Sequence, residues 1–227
     1  MRFPVSAYIV TGVKSDVCVE ATKVYSTFSQ ASEVEWIRVK DEGLKGRMLH
    51  PSYVCYLCTD GRMGNIMTIS WYSLVNEKGD FVMTVGKRRY TEGNLRARGK
   101  GRMAIVRKGD ENKCRATGRR SGGRGDGVRF SQKVKELVKE GVVRVGRVEG
   151  GKMREINVEA DDKPEGDWVV WDTDGFVCFE CVKVVDEDEE RTTWLCRIEE
   201  CFVRKGIWDG KRFQGEGIVF KGGGEFS

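Results

Sequence analysis

The stretches Asn65-Ile-Met-Thr-Ile-Ser-Trp-Tyr72 and Lys87-Arg-Arg-Tyr-Thr-Glu-Gly-Asn94 decide how this chain is interpreted. Along an extended strand, the first stretch would place its hydroxyl-bearing side chains on one face and its apolar side chains on the other. The hydroxyl-bearing face would carry Thr68, Ser70 and Tyr72. The apolar face would carry Met67, Ile69 and Trp71. One face could therefore enter a core while the other turns hydroxyl groups toward a ligand or toward water.

The second stretch predicts a helix over residues 91–98, with Thr91 as its N-cap. Arg88 and Arg89 lie directly before that helix. A helix N-terminus presents N–H groups and the positive end of the helix dipole, so two arginines beside it would make a phosphate site. An amphipathic strand followed by a solvated basic turn is the simpler interpretation of the same residues.

The composition indicates one folded core. The chain has 227 residues, 39% of them hydrophobic, and six tryptophans. Residues 1–47 are expected to form an N-terminal extension that packs on the core, and residues 48–227 to form the main domain. No apolar run approaches the length of a membrane span, and the N-terminus lacks the pattern of a signal peptide, so a cytoplasmic protein is expected.

Short apolar segments bounded by turn residues dominate the chain after Pro51 and predict β-strands. The predicted strands are 53–59, 65–75, 81–85, 102–106, 142–148, 168–171, 177–185, 192–203 and 218–220. A second helix is predicted over residues 131–140, capped by Ser131. This pattern is typical of a mainly β, antiparallel barrel or sandwich with a few peripheral helices, and no dinucleotide-binding glycine motif follows a strand.

The chain has eight cysteines, and two pairs of them mimic the spacing of a zinc ribbon. These pairs are Cys55 with Cys58 and Cys178 with Cys181. Both lie inside predicted strands, where residues three positions apart point to opposite faces, so we expect reduced thiols and no metal site. The chain has a single histidine, His50, so a His-based catalytic triad is not expected. No catalytic side chain is predicted.

The net charge of +5 conceals an uneven distribution. Residues 87–124 contain fourteen Lys or Arg against three acidic residues, so the remainder of the chain is net negative. Residues 96–125 also end in an arginine–glycine sequence of the kind that binds RNA, which leaves a nucleic-acid-binding module open. No aromatic residue lies between Arg96 and Arg124, although single-strand binders usually place aromatics among their basic residues. A solvated loop that attracts anionic cofactors is the alternative.

Several motifs follow one another in the order of a known family. They are Asn-x-Met-Thr-x-Ser-Trp at 65–71, Arg-Tyr-Thr at 89–91, Gly-x-x-Ser-Gly at 118–122, a Glu-Cys strand at 179–182 and a Gly-Gly ending at 221–226. With these motifs, the region from Pro51 to Ser227 resembles the flavin reductase-like, FMN-binding split-barrel family.

This resemblance implies an antiparallel Greek-key split barrel, a homodimer, FMN as cofactor and NAD(P)H as the electron donor. The residues expected to bind the cofactor are Asn65, Thr68, Ile69, Ser70, Trp71, Ser73, Lys87, Arg88, Arg89, Tyr90 and Thr91. Arg88, Arg89 and Thr91 would hold the phosphate. The asparagine, the serines and Thr68 would bond the ribityl chain and the ring edge, while Trp71 shapes the site.

The chain departs from the family in three places. A polar turn at residues 76–80 replaces the family's Pro-Pro pair, and the turn before Arg-Tyr-Thr is basic rather than neutral. The family's C-terminal histidine is missing, and residues 190–193 stand in the corresponding stretch. A protein that binds flavin without turnover therefore stays open as an alternative.

Overall fold

Short strands and three helices make up most of the chain that the computed structural model describes, which is residues 36–40, 53–60, 63–120, 130–159, 168–222 and 225–226. These residues lie in the unit Val34–Ser227. The strands are β1 (Trp36–Val39), β2 (Cys55–Thr59), β3 (Asn65–Ile69), β4 (Tyr72–Leu74), β5 (Asp80–Gly86), β6 (Lys100–Val106), β7 (Val145–Glu149), β8 (Lys152–Glu155), β9 (Trp168–Val170), β10 (Thr173–Glu187), β11 (Arg191–Arg204), β12 (Phe220–Gly222) and β13 (Glu225–Phe226). The helices are α1 (Tyr90–Arg98), α2 (Glu111–Arg119) and α3 (Gln132–Lys139).

One antiparallel sheet in the order β3-β2-β6-β10-β11-β5-β4 dominates the fold, and β1 pairs with the end of β11. Its two edge strands, β3 and β4, are consecutive in the chain and separated only by Ser70 and Trp71. The sheet must therefore curl until its edges approach each other, which makes it a half-barrel. Strands β7, β8 and β9 form a separate small sheet.

Alternate residues of the main sheet face two different cores. In β2, Tyr56 packs in a cluster with α3 and the small sheet, around the fully buried Trp168. Its neighbour Leu57 faces the other cluster, which contains Phe81 and Phe179 in an edge-on contact. The sheet is therefore covered on both faces, and the prediction of a mainly β, antiparallel barrel with peripheral helices is confirmed.

The cysteine pairs follow this alternation. Cys55 and Cys58 lie in different cores, as do Cys178 and Cys181. Burial raises the pKa of both Cys55 and Cys58 to about 12, so these two thiols stay protonated. Within the described ranges, no three His, Cys, Asp or Glu side chains are grouped closely enough to hold a metal ion.

The prediction of one strand over residues 65–75 was wrong. The strand ends at Ile69 and a new one starts at Tyr72, because the chain must cross from one edge of the sheet to the other. Tyr72 therefore turns into the core, where its hydroxyl donates to the carbonyl of Tyr53 at 2.6 Å. Trp71, predicted on the apolar face, is instead 51% exposed.

The helix predictions were right in place but not in every cap. Ser131 caps α3 as predicted, accepting a hydrogen bond from the backbone N–H of Val134 at 3.4 Å. Thr91 does not cap α1, because that helix begins at Tyr90 and Arg89 occupies the cap position without a side-chain hydrogen bond. Helix α2 was not predicted, since its only buried side chains are Cys114 and Thr117 and it lacks an apolar stripe.

The predicted domain boundary near residue 47 stays a prediction. Strand β1 lies before that boundary and pairs with β11, with Trp36 opposite Arg204 and Val39 opposite Cys201. The rest of the predicted extension, residues 1–35 and 41–47, lies outside the described residues. None of the helices in the described part is both long and apolar enough to cross a lipid bilayer.

Gly146 and Gly93 provide a matched test of the packing in this fold. A Cβ at Gly146 would lie 2.5 Å from the backbone carbonyl oxygen of Arg154, whereas a Cβ at Gly93 in α1 would meet nothing within 4 Å. We expect Gly146→Ala to lower the free energy of unfolding by about 1–3 kcal/mol, because backbone cannot move aside cheaply. Gly93→Ala should raise it by about 0.5–1 kcal/mol. Urea denaturation of the two variants measures both, and equal effects would contradict this account.

Candidate functional site

A small pocket opens where β3 meets the N-termini of α1 and α3 and the C-terminus of α2. Its volume is about 110 Å³, which suits a compact group. The lining residues are Asn65, Met67, Thr68, Arg88, Arg89, Tyr90, Thr91, Gly118, Arg120 and Lys133. We call this the anion pocket, because four of these residues are cationic and no carboxylate lines it among the described residues.

The amide of Asn65 holds the anion pocket together. Its Nδ2 donates to the Thr91 hydroxyl at 2.8 Å, and its Oδ1 accepts from the Ser131 hydroxyl at 3.3 Å. All three side chains are buried, so these bonds form in surroundings that exclude water. One side chain on β3 thereby fixes the first turn of α1 and the cap of α3 at the same place.

Lys133 is the buried cation of the anion pocket. It is only 4% exposed and makes no hydrogen bond or ion pair with the described residues. Burial first, and then the nearby positive charges of Arg89 and Arg120, lower the pKa of Lys133 to about 8. Nearby cations and the lack of a carboxylate destabilise the charged form of this lysine. An anion in the pocket would stabilise the charged form and raise the pKa again.

Arg120 faces the anion pocket from the end of α2. Its Nη2 donates to Glu140 at 2.5 Å, which orients the guanidinium. Its Nη1 is buried and lacks a hydrogen-bond partner in the described part of the chain. The same Nη1 lies 4.0 Å from the Glu136 carboxylate, too far for a hydrogen bond, so its donor capacity is not used by the described residues.

Gly118 lets α2 approach β3 closely. A Cβ at this position would lie 2.8 Å from the Thr68 Oγ1. The hydroxyl of Thr68 consequently sits against the backbone of α2 at the pocket wall. A glycine at this point in the helix is required by the close approach rather than by a turn.

The hairpin of β10 and β11 anchors the turn that carries Arg88 and Arg89. The backbone N–H of Lys87 donates to the carbonyl of Glu190 at 2.8 Å. The Lys87 Nζ also pairs with Glu187 at 2.7 Å, and Glu187 pairs with Arg96 of α1 at 2.6 Å. The tip of the hairpin thus holds both the basic turn and the helix that follows it.

Trp71 and Arg191 form an exposed stack near the start of β4. The guanidinium of Arg191 lies 4.4 Å from the centre of the Trp71 ring, within the range of a cation–π contact. Because the carbonyl of Trp71 accepts from the backbone N–H of Thr84 at 3.0 Å, its backbone is held against β5. The ring is therefore a positioned aromatic surface rather than a loose side chain.

The structure brings together six of the eleven predicted cofactor-binding residues. Those in the pocket lining are Asn65, Thr68, Arg88, Arg89, Tyr90 and Thr91. The other five lie outside it. Ile69 is buried in the core and Lys87 is engaged with Glu187. Ser70 and Trp71 form the β3–β4 connection and Ser73 lies in β4, and the side chains of Trp71 and Ser73 are exposed.

Sequence reasoning missed Met67, Gly118, Arg120 and Lys133 as lining residues. Lys133 left one signal in the sequence. It occupies the first turn of a helix whose first turn contains no acidic residue, although the helix dipole favours acids there. A lysine in place of an acidic residue there is the signal that the sequence offered for a basic pocket at this helix N-terminus.

Solved structures share this fold. The FMN-binding domain of a flavin reductase-like enzyme from Shewanella baltica matches with a TM-score of 0.63 and 10% identity, covering 86% of this chain and 95% of that one. An FMN-binding protein from Thermus thermophilus, with bound 1-cyclohex-2-enone, matches with a TM-score of 0.54 and 14% identity over 80% of this chain and 88% of that one. The NADH:FAD oxidoreductase SgcE6 of Streptomyces globisporus matches with a TM-score of 0.50 and 17% identity over 80% and 89%.

These likenesses show that the chain has the split-barrel fold of flavin reductase-like, FMN-binding proteins, as the sequence resemblance implied. No protein-family model matches the chain, and no curated protein matches it.

The anion pocket should bind sulfate in a pH-dependent manner. Sulfate keeps its charge around neutral and mildly alkaline pH, so any change in affinity there reports on the protein. Because the pKa of Lys133 in the free protein is about 8, we expect sulfate affinity to fall by about tenfold or more as pH rises through that value. Titration calorimetry at several pH values measures this.

The controls for this prediction lie on the same helix. Lys133→Met should weaken sulfate binding and remove most of its pH dependence, because the titrating ammonium is gone. Lys139→Met, at the exposed end of α3, removes the same charge away from the pocket and should leave both properties intact. Equal affinity for sulfate on both sides of the transition in the unmodified protein would contradict the assignment.

Proposed function

We propose that this protein is an FMN-binding, flavin reductase-like oxidoreductase that passes electrons from NAD(P)H to flavin. The observation that carries the proposal is the anion pocket, where three arginines and a buried lysine without a partner among the described residues meet the N-termini of two helices. The phosphate of FMN has the charge and size for this pocket. The structural neighbours support the proposal, because those described above are named as FMN-binding or as a flavin oxidoreductase.

In this proposal the pocket residues divide into ligands and supports. Arg88, Arg89 and Lys133 would neutralise the phosphate, and the Nη1 of Arg120, which has no hydrogen-bond partner among the described residues, would donate to it. Thr68 would donate its hydroxyl from the pocket wall. Asn65 and Thr91, predicted as direct ligands, bond to each other, so we assign them mainly to support.

The remaining predicted residues would line the path of the flavin away from the pocket. Ser70 in the β3–β4 connection and Ser73 in β4 would bond the ribityl chain and the ring edge through side-chain and backbone groups. Trp71 would offer its positioned face to the ring system, and Arg191 beside it would place a positive charge there. Bound FMN would supply the hydride and electron chemistry, and the protein would supply binding and orientation without a catalytic acid or base of its own.

A homodimer and a cytoplasmic location belong to the same proposal. In the part of the chain that the structure describes, four large apolar side chains are exposed, which are Trp71, Val75, Val182 and Val185. Two of them lie on β10 beyond Glu180, where the pairing of that strand with β6 ends. Beyond that point β10 still pairs with β11 but has an open edge on its other side. Exposed apolar residues beside an open strand edge are typical of surfaces that associate, so a second copy of the chain is the partner that we propose.

A nucleic-acid-binding module is less well supported. The basic stretch 96–125 contributes to α1, β6 and α2 rather than to a single exposed loop in its described part. Several of its cations are already paired with carboxylates. The pairs are Arg96 with Glu92 and Glu187, Arg102 with Asp60, Arg107 with Asp174, Lys108 with Glu216, and Lys113 with Asp110. These pairs involve five of the eleven Lys and Arg residues of the stretch, so a good part of its charge is already neutralised before a phosphate backbone could meet it.

Arg89→Ala should weaken FMN binding by about 1–3 kcal/mol, because it removes a charge-assisted bond to the phosphate. Quenching of flavin fluorescence on titration with protein measures the dissociation constant. Arg98→Ala, in the exposed last turn of the same helix, removes the same charge outside the pocket and should leave the constant unchanged. If both variants bind FMN as the unmodified protein does, the phosphate does not occupy this pocket.

Turnover is tested by mixing the FMN-loaded protein with NADH and with NADPH in the absence of oxygen. We expect the visible flavin absorbance to bleach faster than that of free FMN with at least one of the two nucleotides. Arg89→Ala should lower the rate in proportion to the flavin that it releases. Tight flavin binding without accelerated bleaching by either nucleotide would favour the flavin-binding protein without turnover.

A further inference from the structure

Two cysteines face each other across the β10–β11 hairpin. Cys181 and Cys196 are paired residues in the antiparallel register, and their sulfur atoms lie 3.9 Å apart. Cys181 is half-buried, whereas Cys196 is fully buried and donates its S–H toward Cys181. The two thiols therefore differ in exposure, and only one of them meets a solute directly.

The backbone places this pair at a position where a disulfide fits. The N–H of Cys181 donates to the carbonyl of Gly99, on the β6 side of the strand, at 2.6 Å. The N–H and C=O of one strand residue point to the same side, so Cys181 and Cys196 form a non-hydrogen-bonded pair. In such pairs the Cα atoms are about 4.5 Å apart, within the range that disulfides span.

We propose that Cys181 and Cys196 form a reversible cross-strand disulfide when the protein meets a peroxide. The sulfur of Cys181, as its thiolate, attacks one peroxide oxygen and the O–O bond breaks, which gives a sulfenic acid and a hydroxide. The hydroxide takes up the proton that the Cys181 thiol released on ionising and leaves as the first water. The sulfur of Cys196 then attacks the Cys181 sulfur, loses its proton and expels the second water. The two sulfurs together lose two electrons, which reduce the peroxide to water.

No other described cysteine has this arrangement. On the same two strands, Cys178 is opposite Glu200 and Cys201 is opposite Val177. The hydrogen bond to Cys181 and burial both raise the pKa of Cys196, so Cys181 is the sulfur that reacts first. Cys181 attacks the peroxide first because it is the more exposed of the two thiols. Cys196 attacks second because its S–H is already directed at the sulfur of Cys181.

The disulfide would affect the anchor of the anion pocket. The pairing of β10 with β11 is irregular just beyond the cysteines, with register shifts between Cys181 and Lys183 and between Val184 and Asp186. The tip beyond these shifts holds Lys87 through Glu187 and Glu190. A disulfide between Cys181 and Cys196, directly before the irregular segment, would hold β10 and β11 together where they lead to the tip.

The test uses the full chain in its folded state, treated with hydrogen peroxide in small excess and analysed by mass spectrometry. The intact protein should lose two hydrogen atoms, and a thiol reductant should restore them. Trypsin releases Cys196 in the peptide of residues 192–197. It releases Cys178 and Cys181 together in the peptide of residues 155–183. We expect those two peptides to be joined.

Two variants assign the bond. Cys181→Ser should abolish the joined peptides, whereas the matched control Cys178→Ser should retain them. Joined peptides that persist in Cys181→Ser, or that form only after denaturation by urea, would overturn the proposal. The effect of the disulfide on the hairpin tip is tested by amide hydrogen exchange over residues 187–191, which should be slower in the oxidised protein. An unchanged exchange rate would overturn that effect.

Discussion

Ser70 and Trp71 are the whole connection between the two edges of the main sheet. With so short a link, β3 and β4 must lie close together, and the intervening strands can satisfy this only by curling. The same constraint breaks the alternation of side chains, which turns Tyr72 inward and leaves Trp71 outside. The curl of the half-barrel and the exposed aromatic ring of Trp71 therefore have one origin.

The anion pocket depends on a second contact that joins distant parts of the chain. Asn65 reaches Thr91 and Ser131 with the two ends of one amide, and these partners are 26 and 66 residues away. A buried amide that satisfies its partners on two helices is costly to replace, because any shorter or apolar side chain leaves a buried polar group without a partner. The positions of Arg88, Arg89 and Lys133 follow from where these two helices start, whereas Arg120 comes from the end of α2.

Local patterns were enough to predict the parts of the fold that depend on neighbours in sequence. The strands followed from alternation and turn residues, and the cap at Ser131 from the residues just after it. Arg88 and Arg89 were recognised as pocket residues because they precede a helix. Lys133 and Arg120 could not be recognised in this way, since their roles arise only when α2 and α3 pack against β3. The actual partner of Thr91 was hidden for the same reason, because nothing near Thr91 in the sequence indicates Asn65.

The charge of Lys133 links the occupancy of the pocket to the stability of the fold. Its pKa falls from 10.5 to about 8 on folding, so between these values the unfolded chain binds more protons than the folded one, and the stability of the empty protein rises with pH. Below this window the full cost of roughly 3 kcal/mol opposes folding. An anion that pairs with the ammonium removes the cost, so at neutral pH an empty chain unfolds more readily than an occupied one. Any cellular process that removes unfolded chains would thereby select for protein that carries its anion.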